Sequence, residues 1–183
     1  MDQTTQRFWS KGYAATSMRD LADSTGVTTA SLYNAFGDKR AIYRLVLDRY
    51  VRLALETCSA TFGGDDPPLR ALERYFDALI EEALADALQK GCFVVNTALE
   101  VAPHDADVRD LVTNVFDQIE KYLRDCIVSG QSDGTIRTKL PAADLARLFL
   151  GATLGIRVLA RTSSERELLT GVVRPLFALL QAT

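Results

Sequence analysis

The sequence has 183 residues, of which 48% are hydrophobic, and a formal net charge of −3. That length accommodates one compact domain or two small ones, and the apolar fraction is ordinary for a globular protein. No run approaches the roughly 18 apolar residues of a membrane span. No basic-then-apolar leader marks the chain for export. We therefore expect a cytoplasmic protein without membrane association.

The residues that usually build metal or catalytic sites are scarce. Cys58, Cys92 and Cys126 form no Cys-x-x-Cys pair, and His104 is the only histidine. This spacing indicates neither a disulfide framework nor a zinc knuckle, and free thiols fit a reducing cytoplasm. No glycine-rich phosphate loop or Gly-x-Ser-x-Gly elbow is present. We expect no metal, no cofactor and no enzymatic activity.

Glycine and proline residues separate segments of helical periodicity, and no segment alternates like a strand. The pattern predicts an all-α fold of about nine helices. In chain order, the helices are expected over about 2–11, 17–24, 28–34, 38–53, 69–80, 92–101, 108–126, 142–162 and 165–181. Ser17 with Asp20 forms a potential capping box at the second helix. The clearest linker is the Gly- and Pro-rich segment 63–68.

Residues 17–36 have the spacing of a helix-turn-helix motif. Leu21 would seat the first helix, and Gly26 fits a turn that requires positive φ. Val27 and Leu32 are expected to fill the core. The second helix carries small or polar residues that can approach a DNA major groove: Thr28, Thr29, Ala30, Ser31 and Asn34. The alternative is a plain α-hairpin with a glycine turn.

The charge distribution separates the two ends of the chain. Residues 1–52 hold eight Lys and Arg against five Asp, a net of +3, whereas the remainder has a net of −6. This asymmetry is typical of a DNA-facing head on an acidic body. We predict a three-helix DNA-binding domain at residues 1–48 and a helical-bundle domain for effector binding and dimerisation at residues 49–183.

The segment around the motif resembles the TetR family of one-component transcriptional regulators. The resemblance covers about residues 6–50. It is carried by Phe8-Trp9-Ser10-Lys11-Gly12-Tyr13, Thr16-Ser17-Met18-Arg19-Asp20-Leu21-Ala22, Gly26-Val27, Ser31-Leu32-Tyr33, Phe36, Lys39 and Ile42-Tyr43. A second segment, residues 91–100, resembles a signature in one branch of that family's ligand-binding bodies.

The resemblance implies a ligand-responsive repressor that binds a palindromic DNA operator as a homodimer. It implies phosphate contacts from four residues: Thr16, Ser17, Tyr33 and Lys39. Base-edge contacts would come from Thr28, Thr29, Ser31 and Asn34. Asn34 would pair with adenine, and Ala30 would touch a thymine methyl. This sequence departs from the family pattern at two places. Family members often carry a basic residue or glycine at positions 29 and 30. They also usually carry a basic arm and a longer first helix ahead of Phe8.

The body carries the expected dimer and effector surfaces. The last two helices present small and apolar residues for a two-fold interface: Leu148, Gly151, Ala152, Gly155, Ile156, Leu159, Leu169, Val172, Val173, Leu176 and Phe177. The alternative is that these faces close the core of one chain. The body would also bind an unidentified small-molecule effector. The expected pocket is lined by Phe62, Phe76, Cys92, Phe93, Asn96, Thr97, Phe116 and Tyr122. Asn96 and Thr97 are polar groups of the kind that orient a ligand, or they hydrogen-bond within the core.

Cys92 supports a further hypothesis. It lies at a predicted helix N-terminus beside Lys90, and both features lower a thiol pKa and favour a reactive thiolate. Some relatives with this Gly-Cys signature sense oxidants or electrophiles. The alternative is a buried, inert thiol. For the whole chain, the competing functions are a helical ligand-binding or interaction protein without DNA-binding activity and, third, an α-helical enzyme.

Overall fold

The computed structural model describes residues 3–163 and 165–182. Over these residues the chain forms nine α-helices and no strand, as predicted. They are α1 Gln3–Lys11, α2 Met18–Thr25, α3 Thr29–Phe36, α4 Lys39–Phe62, α5 Pro68–Ala85, α6 Phe93–Glu100, α7 Ala106–Asp133, α8 Ala142–Leu159 and α9 Arg166–Gln181. None of the described helices is both long and apolar enough to cross a membrane.

Local hydrogen bonds set the starts of α2 and α3. The Asp20 N–H donates to Ser17 Oγ at 3.1 Å, and the Ser17 N–H donates to the Asp20 carboxylate at 2.8 Å. This is the predicted capping box, which satisfies backbone donors that have no partner inside the helix. At α3, the Ser31 N–H donates to Thr28 Oγ1 at 3.1 Å. Gly26 ends α2 with φ of 74°, a left-handed conformation that favours glycine.

Packing divides the chain into two compact units. The first holds α1 to α3, α4 as far as Leu53, and Cys92–Thr113, which contains α6 and the start of α7. The second holds Ala54–Gly91, with α5, and the chain from Asn114 onward, with most of α7 and with α8 and α9. Thus α6 belongs to the same compact unit as the helix-turn-helix although it is distant in sequence. The predicted boundary between a DNA-binding domain and an effector-binding domain, at residues 48 and 49, stays a prediction. It separates functions, whereas the two units are distinguished by packing alone.

The first unit is organised around Tyr43, which is only 2% exposed. Its ring centroid lies 5.0 Å from that of Phe8, 4.8 Å from Tyr13 and 5.5 Å from Phe93, each in an edge-on arrangement. The Thr97 hydroxyl donates to the Phe93 carbonyl at 2.7 Å. Because that uses its single proton, the Tyr43 hydroxyl, 2.7 Å away, must be the donor to Thr97. One side chain therefore joins α1, the α1–α2 loop, α4 and α6.

The second unit has an aromatic core between α5, α8 and α9. The Phe76 ring is 1% exposed and lies edge-on to Phe149 at 5.6 Å and to Phe177 at 6.0 Å. Ring quadrupoles favour such edge-on pairs over face-to-face stacking. The buried aliphatic residues around these rings include Leu72, Leu123, Ile127, Leu145, Ile156, Leu169 and Leu180.

The turn of the helix-turn-helix differs from expectation at one residue. Leu32 is buried at 7% exposure, as predicted, but Val27 is 44% exposed. Val27 stands between the left-handed Gly26 and the extended Thr28, on the solvent side of the turn. The prediction that Val27 fills the core is therefore wrong.

The core predicts a matched pair of stability changes. Leu72→Ala should lower the free energy of unfolding by about 2–5 kcal/mol, because the fully buried side chain leaves a cavity. Leu88→Ala removes the same atoms from a side chain that is 73% exposed and should change stability by about 0.5 kcal/mol or less. Urea denaturation followed by circular dichroism, at one protein concentration, measures both. Equal losses would contradict this core.

Candidate nucleic-acid interface

α3 exposes a ridge of uncharged groups. With about 100° of rotation per residue, Ala30 and Asn34 lie opposite the buried Leu32, flanked by Ser31 and Tyr33. All four residues of this ridge and its flanks are exposed, Tyr33 by 51%. A methyl group and an amide one helical turn apart thus form the outermost line of α3. An amide can bond adenine at two atoms, and a methyl can contact thymine.

The hydroxyls at the start of α3 are engaged with one another. Thr28 Oγ1 lies 2.9 Å from Ser31 Oγ and also accepts the Ser31 N–H. Thr29 is partly buried. Because these two hydroxyls already bond to each other, they can form fewer hydrogen bonds with base edges than the amide of Asn34 can. Asn34 is therefore the strongest candidate for base reading among the predicted residues.

Thr16 does not fit its predicted role. Its side chain is 1% exposed, and its hydroxyl donates to the Gly12 carbonyl at 2.6 Å. The hydroxyl thus closes the α1–α2 loop internally, and the expectation that it reaches a DNA phosphate does not hold in this structure. The neighbouring Ser17 is exposed at the N-terminus of α2, where the helix dipole favours an anion.

Arg19 is a phosphate-contact candidate that the sequence analysis missed. It is exposed in the first turn of α2, on the side opposite the buried Leu21. The sequence did carry a signal for this role, since Arg19 is a basic residue in the first turn of a motif helix. The acidic Asp20 beside it is compensated, because the Lys11 ammonium lies 2.6 Å away. That hydrogen bond, together with those from Ser17, holds the pKa of the Asp20 carboxyl well below its usual range.

Lys39 is held by the α1–α2 loop. Its Nζ donates to the Tyr13 carbonyl at 2.9 Å and lies 4.3 Å from the centroid of the Tyr13 ring. The ammonium has two further protons, so a phosphate contact is compatible with this bond. The sequence suggested only the phosphate role, whereas the structure also makes Lys39 a link between α4 and the loop.

The end of α6 binds the same loop. The Tyr13 N–H donates to Glu100 Oε2 at 3.0 Å, and the Ala14 N–H donates to Oε1 at 2.7 Å. Gly12, with φ of +84°, precedes these two residues, and a Cβ there would lie 2.9 Å from the Glu100 carboxylate. The carboxylate can therefore approach only because residue 12 has no side chain.

A second ionic contact joins the start of α4 to the α6–α7 corner. Arg40 Nε donates to Asp105 at 2.6 Å, and its Nη2 donates to Asp105 at 2.9 Å and to Asp107 at 2.6 Å. The Arg40 guanidinium lowers the pKa of the Asp105 carboxyl to about 2. The fork geometry suits a carboxylate bound at two atoms and orients as well as attracts.

The predicted effector residues are divided between the two units. Cys92, Phe93, Asn96 and Thr97 belong to the first, whereas Phe62, Phe76, Phe116 and Tyr122 belong to the second. Three of the eight are fully buried in their own units, namely Phe76, Phe93 and Thr97. For Thr97, the alternative of an internal hydrogen bond is what the structure shows. The pocket itself stays a prediction.

The cysteines lie in different surroundings. Cys92 precedes α6 as its N-cap residue, partly buried, with the Tyr50 hydroxyl 3.9 Å from its sulfur. Lys90 donates to Asp86 at 3.1 Å, so its charge already has a partner. Burial raises the pKa of the Cys126 thiol to about 11, which suits an inert packing role. Thiol sensing at Cys92 stays a hypothesis.

The predicted dimer residues fall into two groups. Ile156, Leu169, Val173 and Leu176 are buried in the core of the second unit, as the single-chain alternative proposed. The others are exposed or partly buried: Leu148, Gly151, Ala152, Gly155, Leu159, Val172 and Phe177.

The outward faces of α8 and α9 share one spacing. On each helix, apolar or small residues that are exposed or partly buried recur at i, i+3, i+7 and i+10. They are Leu148, Gly151, Gly155 and Val158 on α8, and Leu168, Gly171, Pro175 and Ala178 on α9. We call these eight residues the α8–α9 stripe. All but Leu148, Gly151 and Gly155 were missed in the sequence, although their helical spacing was visible there.

Comparison with protein families finds two matching models. "Bacterial regulatory proteins, tetR family" matches residues 1–46, and "Tetracyclin repressor-like, C-terminal domain" matches residues 68–176. The HTH-type transcriptional repressor DhaR of Mycobacterium sp. (strain GP1) is 30% identical, over 100% of this chain and 91% of DhaR. The HTH-type transcriptional repressor ComR of Escherichia coli (strain K12) is 28% identical, over 91% of this chain and 80% of ComR.

Solved structures share the fold. A TetR transcriptional regulator from Chloroflexus aurantiacus superimposes with a TM-score of 0.87 at 24% identity, covering 99% of this chain and 91% of that one. A cysteine mutant of the TetR family regulator CifR, complexed with 26bp double-strand operator DNA, gives a TM-score of 0.83 at 23% identity, covering 97% and 92%. These likenesses confirm the predicted helix-turn-helix head and helical body.

The buried Tyr43 predicts an alkaline loss of stability. Burial raises its pKa to about 12, compared with about 10 in an unfolded chain. The contribution of Tyr43 to the free energy of unfolding is fully present below pH 10. Between about pH 10 and 12 the unfolded chain releases a proton that the folded chain keeps, so stability falls by up to about 1.4 kcal/mol per pH unit.

Tyr43→Phe removes this proton and leaves the Thr97 hydroxyl bonded to Phe93. Denaturation series for both proteins from about pH 9 to 11.5 should show a shallower decline for the variant. Every other side chain is common to both proteins, so the difference between the two series reports the change at position 43. Parallel curves would show that Tyr43 ionises as readily in the folded chain as in the unfolded one.

Proposed function

Because this chain belongs to the TetR family of bacterial regulatory proteins, we propose that it represses transcription as a homodimer on a palindromic operator and releases the DNA when a small effector binds. The chain is a DNA-binding transcriptional regulator, and the alternative of a helical protein without DNA activity is not favoured. Repression is supported by the names of DhaR and ComR. Such a protein acts in the cytoplasm, beside the bacterial chromosome.

The observation that carries the proposal is the exposed ridge of Ala30 and Asn34, presented by a capped α3 after the Gly26 turn. In a helix-turn-helix, the second helix enters the major groove while the first crosses the backbone. We assign Asn34 to adenine and Ala30 to a thymine methyl. Phosphate contacts are assigned to Ser17, Arg19, Tyr33 and Lys39. Sequence reading thus depends on an amide and methyl contacts, without arginine–guanine pairs.

Binding-site selection from random duplexes tests this assignment. The wild-type protein should enrich a palindrome, and Asn34→Ala should lose its preference for adenine at one position of each half-site. The variant should bind the selected duplex about 1–3 kcal/mol more weakly. Tyr33→Ala is the control, since loss of a phosphate contact weakens binding to all sequences alike.

Two results would count against the proposal. If Asn34→Ala enriches the same sequence as the wild type, Asn34 does not read a base. If the wild-type protein shows no salt-dependent binding to any duplex, the chain does not act on DNA in this way.

We assign the α8–α9 stripe to the dimer interface. Small residues in the stripe allow two helices to approach closely, and an isologous contact would repeat the same patch on both copies. A single helix-turn-helix makes few contacts with DNA, whereas two of them, placed one turn of the DNA helix apart, read two half-sites. Leu148, Val158 and Leu168 expose apolar side chains that a second copy would cover.

Gly151→Arg tests the stripe without disturbing one chain. A Cβ at Gly151 meets no atom within 4 Å, and replacing a helical glycine raises helix propensity. The variant should keep its helical content but lose dimerisation, because each copy would bring a buried, unpaired charge to the interface. Light scattering at micromolar concentration measures the mass. Leu88→Arg adds the same charge to an exposed loop and should remain a dimer.

If Gly151→Arg stays dimeric, the stripe is not the interface. If the wild-type protein is monomeric at that concentration, the homodimer itself is refuted. For the effector, the predicted residues of each unit stay candidates; in the first unit the partly buried ones are Cys92, at the N-cap of α6, and Asn96 on α6. Screening metabolites and oxidants for release of the selected duplex tests them, and release by none would remove the effector claim.

A further inference from the structure

The peptide groups of Tyr13 are bound from two directions. Its N–H donates to Glu100 on α6, and its carbonyl accepts from Lys39 on α4. Lys39 is the third residue after the end of α3, and the loop that contains Tyr13 leads into α2 at Ser17. The segments that flank the two helices of the DNA-binding motif are therefore tied to each other through one loop residue, and that residue is tied to α6.

From this arrangement we propose that Glu100 is a positioning residue for DNA binding. Its carboxylate sets the α1–α2 loop and, through Tyr13 and Lys39, holds the N-terminus of α2 and the end of α3 in the spacing that DNA requires. This inference rests on the DNA-binding function and adds a residue that lies outside the motif. Glu100 itself need not touch the nucleic acid.

The surroundings of Glu100 keep the carboxylate in place. The Tyr43–Thr97 hydrogen bond fixes α6 one turn earlier, and Arg40 binds Asp105 and Asp107 just after it. A carboxylate that accepts two backbone N–H groups forms charge-assisted bonds, which are stronger than those between neutral groups. Glu100 thus transmits the position of a supported helix to a loop that has no regular structure of its own.

Electrostatics alone makes the opposite prediction for this residue. A carboxylate near a DNA-binding surface repels phosphates, so removing its charge should strengthen binding. A residue that only stabilises the fold should leave the affinity unchanged wherever the variant is fully folded. Only a positioning role predicts weaker binding by a folded, less acidic variant.

Glu100→Gln is the decisive variant in the full-length protein. Glutamine keeps the shape, but its NH2 group faces one of the two backbone donors and cannot accept its bond. Affinity is measured at low salt for a mixed-sequence duplex of about 30 base pairs, which spans two half-sites. We expect about tenfold weaker binding, equivalent to about 1.4 kcal/mol. Glu73→Gln, which removes the same charge from a surface pair with Arg70, should change the affinity by less than about twofold.

Hydrogen exchange of the wild-type protein gives a second readout. The Tyr13 and Ala14 amide protons should exchange slowly although they lie between helices, because both are bound to Glu100. In Glu100→Gln they should exchange faster. If circular dichroism shows that this variant does not fold, the wild-type exchange decides, and rapid exchange at both amides overturns the proposal.

The outcomes separate this inference from the function it rests on. Unchanged or tighter duplex binding by folded Glu100→Gln overturns the positioning role and leaves the regulator function intact. Failure of the wild-type protein to bind any duplex refutes the DNA-binding function, and the inference with it.

Discussion

The first unit depends on the hydrogen bond and ring contacts of Tyr43. Burying a phenol is favourable only if its hydroxyl finds a partner, and Thr97 supplies one. That requirement brings α6 against α4, while the ring faces of Phe8 and Tyr13 bring α1 and its following loop to the same point. The DNA-binding motif is therefore built on an aromatic centre shared with a helix from beyond residue 90.

The shared aromatic centre affects how the stability of the helix-turn-helix region is explained. A helix-turn-helix of three helices has a small core, and small cores leave little stability to spare. Here Glu100 and the acidic α6–α7 corner bind the α1–α2 loop and the start of α4. The motif is thus held by charges contributed from Cys92–Thr113, a segment of the same compact unit. Any effector that alters α6 would act on groups that bind the segments on either side of the motif.

The recognition surface combines this firm support with few long side chains. Caps at Ser17 and Thr28 define where α2 and α3 begin, so the exposed ridge has a fixed register. Since Asn34 and Ala30 are short, they reach bases only if α3 enters the groove closely. Close entry requires an accurately placed motif, which is what the contacts of Tyr13, Lys39 and Glu100 provide.

The sequence by itself determined the nine helices of the described residues, the capping box at Ser17 and the turn at Gly26, because periodicity, caps and positive φ depend on neighbouring residues. Only the tertiary structure decided that Thr16 is buried, that Val27 is exposed and that α6 belongs to the same compact unit as the motif. The last of these outcomes depends on partners far along the chain, such as Tyr13 and Glu100, which are 87 residues apart. No local pattern encodes such a contact, since a backbone N–H carries no mark in the sequence and Glu100 alone looks like an ordinary surface residue.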